Sequence, residues 1–260
     1  MKGKAVAIIP ARYASTRLPG KPLLPLSTIP MIMHVVERAS RASLVSRVIV
    51  ATDDERILTA VRLHGGEARL TSIDAQSGTD RISEVAALLD SEIIVNVQGD
   101  EPLIEPATID AAIEPLIKDS EIQISTTSEP IDSVDDVLSP SVVKVVTDAR
   151  GFALYFSRSP VPFIRPAPGL TLEQSLRRDA RLLSNYRKHS GLYAYRSDFL
   201  QRFARMEPSC LERLERLEQL RAIENGFRIR VVKVEHRSIG VDTEQDYERV
   251  KRLIQESTHD

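Results

Sequence analysis

The sequence predicts a doubly wound α/β fold with a mostly parallel sheet, and three observations carry that prediction. Short apolar runs recur at 6–9, 48–51, 93–97 and 122–126, each suited to a strand buried on both faces. Patterns of helical period separate them: between the first two runs, Ile32, Val35, Val36 and Ala39 fall on one helical face. A cationic loop follows the first run directly, where an open α/β sheet places its ligand crevice.

The next helix opens at Asp53-Asp54, carries Ile57, Ala60 and Val61 on one side, and stops at Gly65-Gly66, with the expected caps at both ends. From about residue 142 the rhythm changes. Runs at 142–146 and 153–157 predict paired strands around an Asp-Ala-Arg-Gly turn at 148–151. Pro160, Pro162, Pro166 and Pro168 follow, then a basic stretch at 177–187. Roughly 130–205 reads as a subdomain inserted into a single domain spanning 1–255. Ser209 begins a further helix, with Glu212 three residues on as a capping box. A late strand at 228–234 and a closing helix at 243–254 complete the pattern, with no internal repeat or low-complexity tract.

At 260 residues and 42% hydrophobic composition the chain can build a substantial core, and its net charge of -2 offers no global basic field for nucleic acid. Any anion must be gripped locally. Cys210 is the single cysteine, which excludes an intramolecular disulfide and a cysteine-based zinc site. No apolar run approaches the ~20 residues of a membrane span, and residues 1–4 lead straight into a strand with no cleavable leader. These readings predict a cytoplasmic protein with neither a membrane nor a nucleic-acid partner.

Four segments carry candidate chemistry. The first, residues 8–23, holds Arg12, Arg17 and Lys21 together with Pro10, Ala11, Ser15, Thr16 and Gly20. Guanidinium forks and free backbone N–H groups suit a triphosphate. It is not a Walker loop, since the Gly-x4-Gly-Lys-Ser/Thr spacing is absent and Pro22 follows the lysine, and no Gly-x-Gly-x-x-Gly turn occurs in the chain. The second, Asn-Val-Gln-Gly-Asp-Glu-Pro at 96–102, puts Asp100 just past a buried strand. There a carboxylate can help to hold Mg²⁺, although Gly-Asp-Glu-Pro is equally good turn chemistry. The third, Gly-Val-Asp-Thr at 240–243, reads first as a helix cap through Asp242 or Thr243, with Asp246 three beyond the threonine; it gains a metal role only if Asp242 meets Asp100. The fourth, Gln-Ser-Gly-Thr-Asp-Arg at 76–81, is a polar loop opening a helix, able to read a base edge or simply to start the helix. Pattern alone singles out none of Arg158, His189, Tyr193, Glu218 or Gln219.

Taken together these segments resemble the 3-deoxy-manno-octulosonate (Kdo) cytidylyltransferase family. The resemblance runs from residue 8 to about 254. Its most specific signature is Ile-Pro-Ala-Arg-Tyr-Ala-Ser-Thr-Arg-Leu-Pro-Gly-Lys-Pro-Leu at 9–23. The segments at 76–81 and 96–102 follow in the family's order, then Ala-Leu-Tyr-Phe-Ser-Arg at 153–158, Lys-His-Ser-Gly-Leu-Tyr-Ala-Tyr-Arg at 188–196, Glu-Gln-Leu-Arg at 218–221 and 240–243.

The resemblance implies a Rossmann-like nucleotidyltransferase that moves CMP from CTP to the anomeric 2-hydroxyl of Kdo for lipopolysaccharide synthesis, releasing pyrophosphate. It further implies that Pro10, Ala11, Arg12, Ser15, Arg17 and Lys21 hold the triphosphate, with Arg12 and Lys21 also catalytic. Gln76, Ser77, Gly78, Thr79 and Arg81 would recognise cytosine. Asp100 and Asp242 would hold Mg²⁺, Gln98 would lie between nucleotide and sugar, and Arg158, His189, Tyr193, Glu218 and Gln219 would line the sugar pocket. The inserted region would form the face of a homodimer. Ser190 stands where the family pattern suggests an aliphatic residue, and the arginine-rich 166–187 is longer and more variable than that pattern. Alternative acceptors are the 8-amino form of Kdo and sialic acid; the alternative from another class is a nucleotide-sensing module without turnover.

Overall fold

The computed structural model describes residues 5–14, 17–75 and 77–256. The first apolar run forms β1 (Ala5–Ala11). A single 3-10 turn (Lys21–Leu23) and a two-residue ribbon, β2 (Pro25–Leu26) with β3 (Ile29–Pro30), lead into the expected helix α1 (Met31–Ser40). β4 (Val45–Thr52) and α2 (Glu55–Leu63) follow; Asp54 caps α2 by accepting from the Arg56 N–H at 2.9 Å, and the chain leaves it through Gly65 at φ 77. Next come β5 (Glu67–Leu70), α3 (Gly78–Ala86), β6 (Ile93–Asn96), α4 (Pro106–Lys118) and β7 (Ile124–Pro130).

The second half begins with α5 (Val134–Leu138) and the expected hairpin, β8 (Lys144–Thr147) antiparallel to β9 (Ala153–Ser157). Then follow α6 (Leu172–Arg178), β10 (Arg187–Arg196), α7 (Ser197–Ala204), α8 (Cys210–Glu215), α9 (Gln219–Glu224), β11 (Ile229–Lys233) and α10 (Glu244–Glu256). Ahead of α8, Glu212 accepts from the Ser209 N–H at 3.0 Å, as its capping role requires.

The main sheet runs in the order β11-β7-β10-β6-β1-β4-β5, with β8 and β9 branching from β10. β1 lies parallel to both β4 and β6, β4 to β5 and β7 to β11, whereas β10 is antiparallel to its neighbours β6 and β7. Because β1 connects to β4 on one side and neighbours β6 on the other, the chain order reverses at β1. An open crevice therefore forms beyond the carboxyl ends of β1 and β6.

Both sheet faces are covered, which explains why the strands read as continuous apolar runs. Along β1, Ala5, Ala7, Ile9 and Ala11 join a core with α1, α2 and α4, while Val6 and Ile8 join a second core with α3, α7 and α9. The span 130–205 divides in two. Ile131, Val137, Leu176, Leu183 and Tyr186 form a small core of their own, but β10 runs through the middle of the main sheet. A fourth cluster joins Leu26 and Met31 to Val241 and Val250, so it docks α10 against the ribbon that follows the first loop.

Candidate active site

The four candidate segments meet at the mouth of the crevice. The first loop turns back at Gly20, which adopts φ 68 and lies so close to the Tyr13 ring that a Cβ would stand 3.2 Å from it. Any side chain at Gly99 would place its Cβ 2.8 Å from the Pro10 carbonyl oxygen, so the absence of one lets the 98–100 turn close onto the end of β1. Gly78 lies against the Pro10 ring, and Arg12 donates to the Ala75 carbonyl, which ties the first loop to the start of α3. The last segment joins through the Val241 N–H, which donates to the Asp100 carbonyl at 2.8 Å.

Asp100 and Asp242 meet on one cation. Lys21 Nζ donates to Asp100 Oδ2 at 2.8 Å, to the Val241 carbonyl at 2.7 Å and to Asp242 Oδ1 at 3.3 Å, which uses all three of its protons. Arg17 stands 3.1 Å from the other oxygen of Asp242. Thr243 and Asp246 meanwhile bond each other at the head of α10, with Asp246 Oδ2 also accepting the Thr243 N–H at 2.9 Å. The cap therefore falls to that pair, and the Asp242 carboxylate turns to the crevice. A cleft of about 330 Å³ opens here between Arg12, Arg17, Lys21, Gln98 and Asp100.

Ser15 and Gln76 lie outside the described residues. At the start of α3, Ser77 and Asp80 form a reciprocal capping box, so the polar loop is a helix start whatever else it does. Thr79 donates to Glu218 Oε2 at 2.5 Å, linking that helix start to α9. Arg81 points inward: it is 1% exposed, pairs with Asp53 at 2.7 Å and donates to Thr71 Oγ1.

A second group lies on the α3/α7/α9 side of the sheet. Gln98 Nε2 donates to the Gly191 carbonyl at 3.0 Å, where β10 is interrupted by a shift of register and Gly191 takes φ 77. His189 Nε2 lies 3.0 Å from Thr126 Oγ1, whose hydroxyl proton goes to the Leu192 carbonyl at 2.6 Å. Thr126 thus accepts, which puts the imidazole proton on Nε2. The imidazole packs between Phe156 and Tyr193, and burial pulls its pKa down to about 3, so the ring is neutral. Burial raises the Glu218 carboxyl pKa, against the opposing pull of Thr79 and Arg221, and pushes the Tyr193 phenol well above its ordinary value.

Arg158 stands apart from this group. Its guanidinium donates to the carbonyls of Glu215 at 2.7 Å, Pro140 at 2.9 Å and Arg216 at 3.3 Å.

Sequence reasoning passed over three buried groups. Glu101 sits beside Asp100, and burial first, then Asp100 and Glu129, raise its pKa well above the carboxylate range. Glu129 is 2% exposed, pairs with Lys188 at 2.6 Å and accepts from the Ser238 N–H at 2.6 Å. Asn96, at the end of β6, is 5% exposed. Of these, only Asn96 carried a signal: it is the one polar residue in an otherwise apolar strand.

Residues 6–233 match the family model described as cytidylyltransferase. The 3-deoxy-manno-octulosonate cytidylyltransferase of Geobacter sulfurreducens is 57% identical over 244 residues, covering 94% of this chain and 96% of that protein. Its namesake from Geotalea uraniireducens is 58% identical over 247 residues, covering 95% and 97%. The chain belongs to the 3-deoxy-manno-octulosonate cytidylyltransferase family. It is an enzyme, a nucleotidyltransferase. Among solved structures, that of a CMP:2-keto-3-deoxy-manno-octonic acid synthetase complexed with CTP superposes with a TM-score of 0.88 at 42% identity, covering 98% of this chain and all of that one. The family's nucleotidyltransferase sheet is thus the frame on which the crevice of this chain is built.

Proposed function

We propose that the protein transfers CMP from CTP to the anomeric 2-hydroxyl of Kdo, yielding CMP-Kdo and pyrophosphate. The observation that carries this reading is the meeting of Asp100 and Asp242 on Lys21, beside a cleft walled by Arg12 and Arg17. Three permanent cations at the mouth of a parallel sheet suit the charge of a triphosphate. Two carboxylates beside them suit a hard divalent cation, which takes oxygen ligands and shares its coordination with substrate phosphates. The described residues contain no cluster of three or more acidic, histidine or cysteine side chains able to hold an ion alone. That fits Mg²⁺ held jointly by Asp100, Asp242 and the nucleotide.

When bound, Mg²⁺ neutralises charge on the phosphates and makes a nearby hydroxyl more acidic. The protein's own residues bind and orient. Arg12, Arg17 and Lys21 clamp the triphosphate, and Ser77, Gly78 and Thr79 at the head of α3 read the base, while the buried Arg81 braces that helix start through Asp53. Gln98, fixed by Gly191, stands between nucleotide and sugar. In the transfer the sugar oxygen bonds the α-phosphorus, the bond to the pyrophosphate oxygen breaks so that pyrophosphate leaves with the electron pair, and the hydroxyl proton passes to solvent water. His189, held neutral and weakly basic, binds the sugar as a hydrogen-bonding group and does not take that proton. Glu218, Gln219 and Tyr193 complete the sugar pocket, while Arg158 reaches a sugar carboxylate only by giving up carbonyl contacts. Positioning and charge neutralisation supply most of the acceleration.

No helix among the described residues is long and apolar enough to cross a membrane. We place the enzyme in the cytoplasm, where CTP is available, as a homodimer paired through the 130–205 region. Leu154 and Phe163, 61% and 68% exposed there, support that face. Pyrophosphate release from CTP, measured with Kdo, its 8-amino form and sialic acid in turn, tests the reading. Kdo is expected to give the highest kcat/KM, and no release with either form of Kdo overturns it.

A further inference from the structure

Asn96 ends β6 and pairs in register with Ile8 on β1 and Tyr193 on β10. Register partners point to one side of a sheet, and Ile8 and Tyr193 belong to the core that also contains Leu217 and Leu220 around Glu218 and Gln219. Asn96 therefore faces the side on which the sugar group gathers. Its Oδ1 is buried and accepts no hydrogen bond; Tyr193 Oη and Gln219 Nε2 are likewise buried without one, and Glu218 Oε1 also lacks one, its nearest cation being the Arg221 guanidinium at 3.7 Å. These are four of the seven such side-chain atoms among the described residues. Folded proteins leave few buried polar groups unsatisfied, because each forfeits its hydration with nothing in return. Four gathered on one side of the sheet are the signature of a pocket whose hydrogen bonds are completed by a ligand. Three of them can accept, so the fitting ligand is rich in hydroxyl donors.

We propose that Asn96 binds the acceptor sugar directly, its Oδ1 accepting a hydrogen bond from a sugar hydroxyl, and so helps to set sugar specificity. This rests on the assignment of the protein as a CMP transferase to an acidic sugar. An asparagine is an odd choice for the last residue of a buried strand unless something polar meets it. In a purely structural role, Oδ1 would be bonded to a neighbouring backbone N–H or hydroxyl.

The test compares Asn96→Val, which removes the acceptor, with Asn96→Thr, which has the same shape and keeps one. Three quantities are read: kcat/KM for the sugar at saturating CTP, the Kd for CTP by calorimetry, and the thermal midpoint without substrates. Loss of one neutral hydrogen bond corresponds to about a tenfold effect. The Val variant is expected to lose about tenfold in kcat/KM for the sugar, with the Kd for CTP within twofold of wild type. Its thermal midpoint should be equal to or above that of wild type, since an unpaired buried amide has been removed, and the Thr variant should regain part of the lost sugar affinity. The assignment is overturned if sugar kcat/KM stays within twofold in the Val variant, or if Val and Thr lose it equally. A thermal midpoint several degrees lower, or a failure to fold, marks Asn96 as structural and overturns it too. Wild-type protein that releases no pyrophosphate with any acidic sugar instead overturns the underlying transferase reading.

Discussion

Lys21 Nζ donates to Asp100 Oδ2 at 2.8 Å and reaches Asp242 Oδ1 at 3.3 Å, so a single ammonium joins carboxylates that follow β6 and precede α10. Opposite charges held this close keep both carboxylates in place before any substrate arrives. If they share a metal ion during turnover, each is indispensable for rate and of minor importance for folding. Asp100→Asn and Asp242→Asn should each lower pyrophosphate release by about 10²-fold or more. Asp242 is about half exposed, so its loss should cost under ~1 kcal/mol of stability. Steady-state assays beside thermal melts check this, and near-normal rates in either variant contradict the metal role.

Removal of divalent ions separates the same two properties in the native protein. Excess chelator should abolish turnover and Mg²⁺ should restore it, while the thermal midpoint of the substrate-free protein stays within a degree or two. The reason is local: Lys21 and Arg17 already neutralise Asp100 and Asp242. A large drop in thermal midpoint on chelation would show instead that an ion is part of the fold.

Gly99 offers a steric test of how the loops are joined. A methyl group there would stand 2.8 Å from the Pro10 carbonyl oxygen, with backbone on both sides of the clash. Gly99→Ala should therefore push the Gln98–Asp100 turn off the end of β1, costing about 1–3 kcal/mol and, by misplacing Asp100, about 10²-fold in turnover. A variant with wild-type melting and rate would contradict the contact.

The buried imidazole of His189 makes a prediction about pH. Its pKa is about 3 in the folded chain, whereas the unfolded chain titrates at ~6.5. Below ~6.5 the unfolded chain thus binds a proton that the folded chain does not. The corresponding stability is intact above ~6.5 and is lost progressively as pH falls towards 3. Thermal midpoints measured from pH 7.5 to 4 should fall less steeply for His189→Gln than for wild type. Identical slopes would show that the ring is accessible to protons in the folded state.

The parallel strands were legible in sequence because both faces of β1, β4 and β6 are buried, which writes them as unbroken apolar runs. Helices α1 and α2 were legible from period and caps. Helix α4 was not, since Pro115 lies inside its pattern, and β5 is a four-residue edge strand with too little apolar content. The place of β10 was also hidden: its residues suggest a strand, but nothing local says that it enters the main sheet antiparallel between β6 and β7. Within the site, the cationic loop could be read from composition, because phosphate binding needs a particular set of side chains. The meeting of Asp100 with Asp242 could not, because it depends on the Val241–Asp100 backbone bond and on the packing of α10 against the ribbon. Ion pairs with one buried member, such as Arg81 with Asp53 or Glu129 with Lys188, look in sequence like any solvated charges.

Phosphorus NMR of a mixture of protein, CTP, Kdo and Mg²⁺ shows whether this crevice joins CMP to an acidic sugar. The prediction is that CTP resonances give way to one phosphodiester signal and an equal amount of pyrophosphate, and only when the sugar is present. Unchanged CTP, or its conversion to free CMP without a phosphodiester, would refute the transfer.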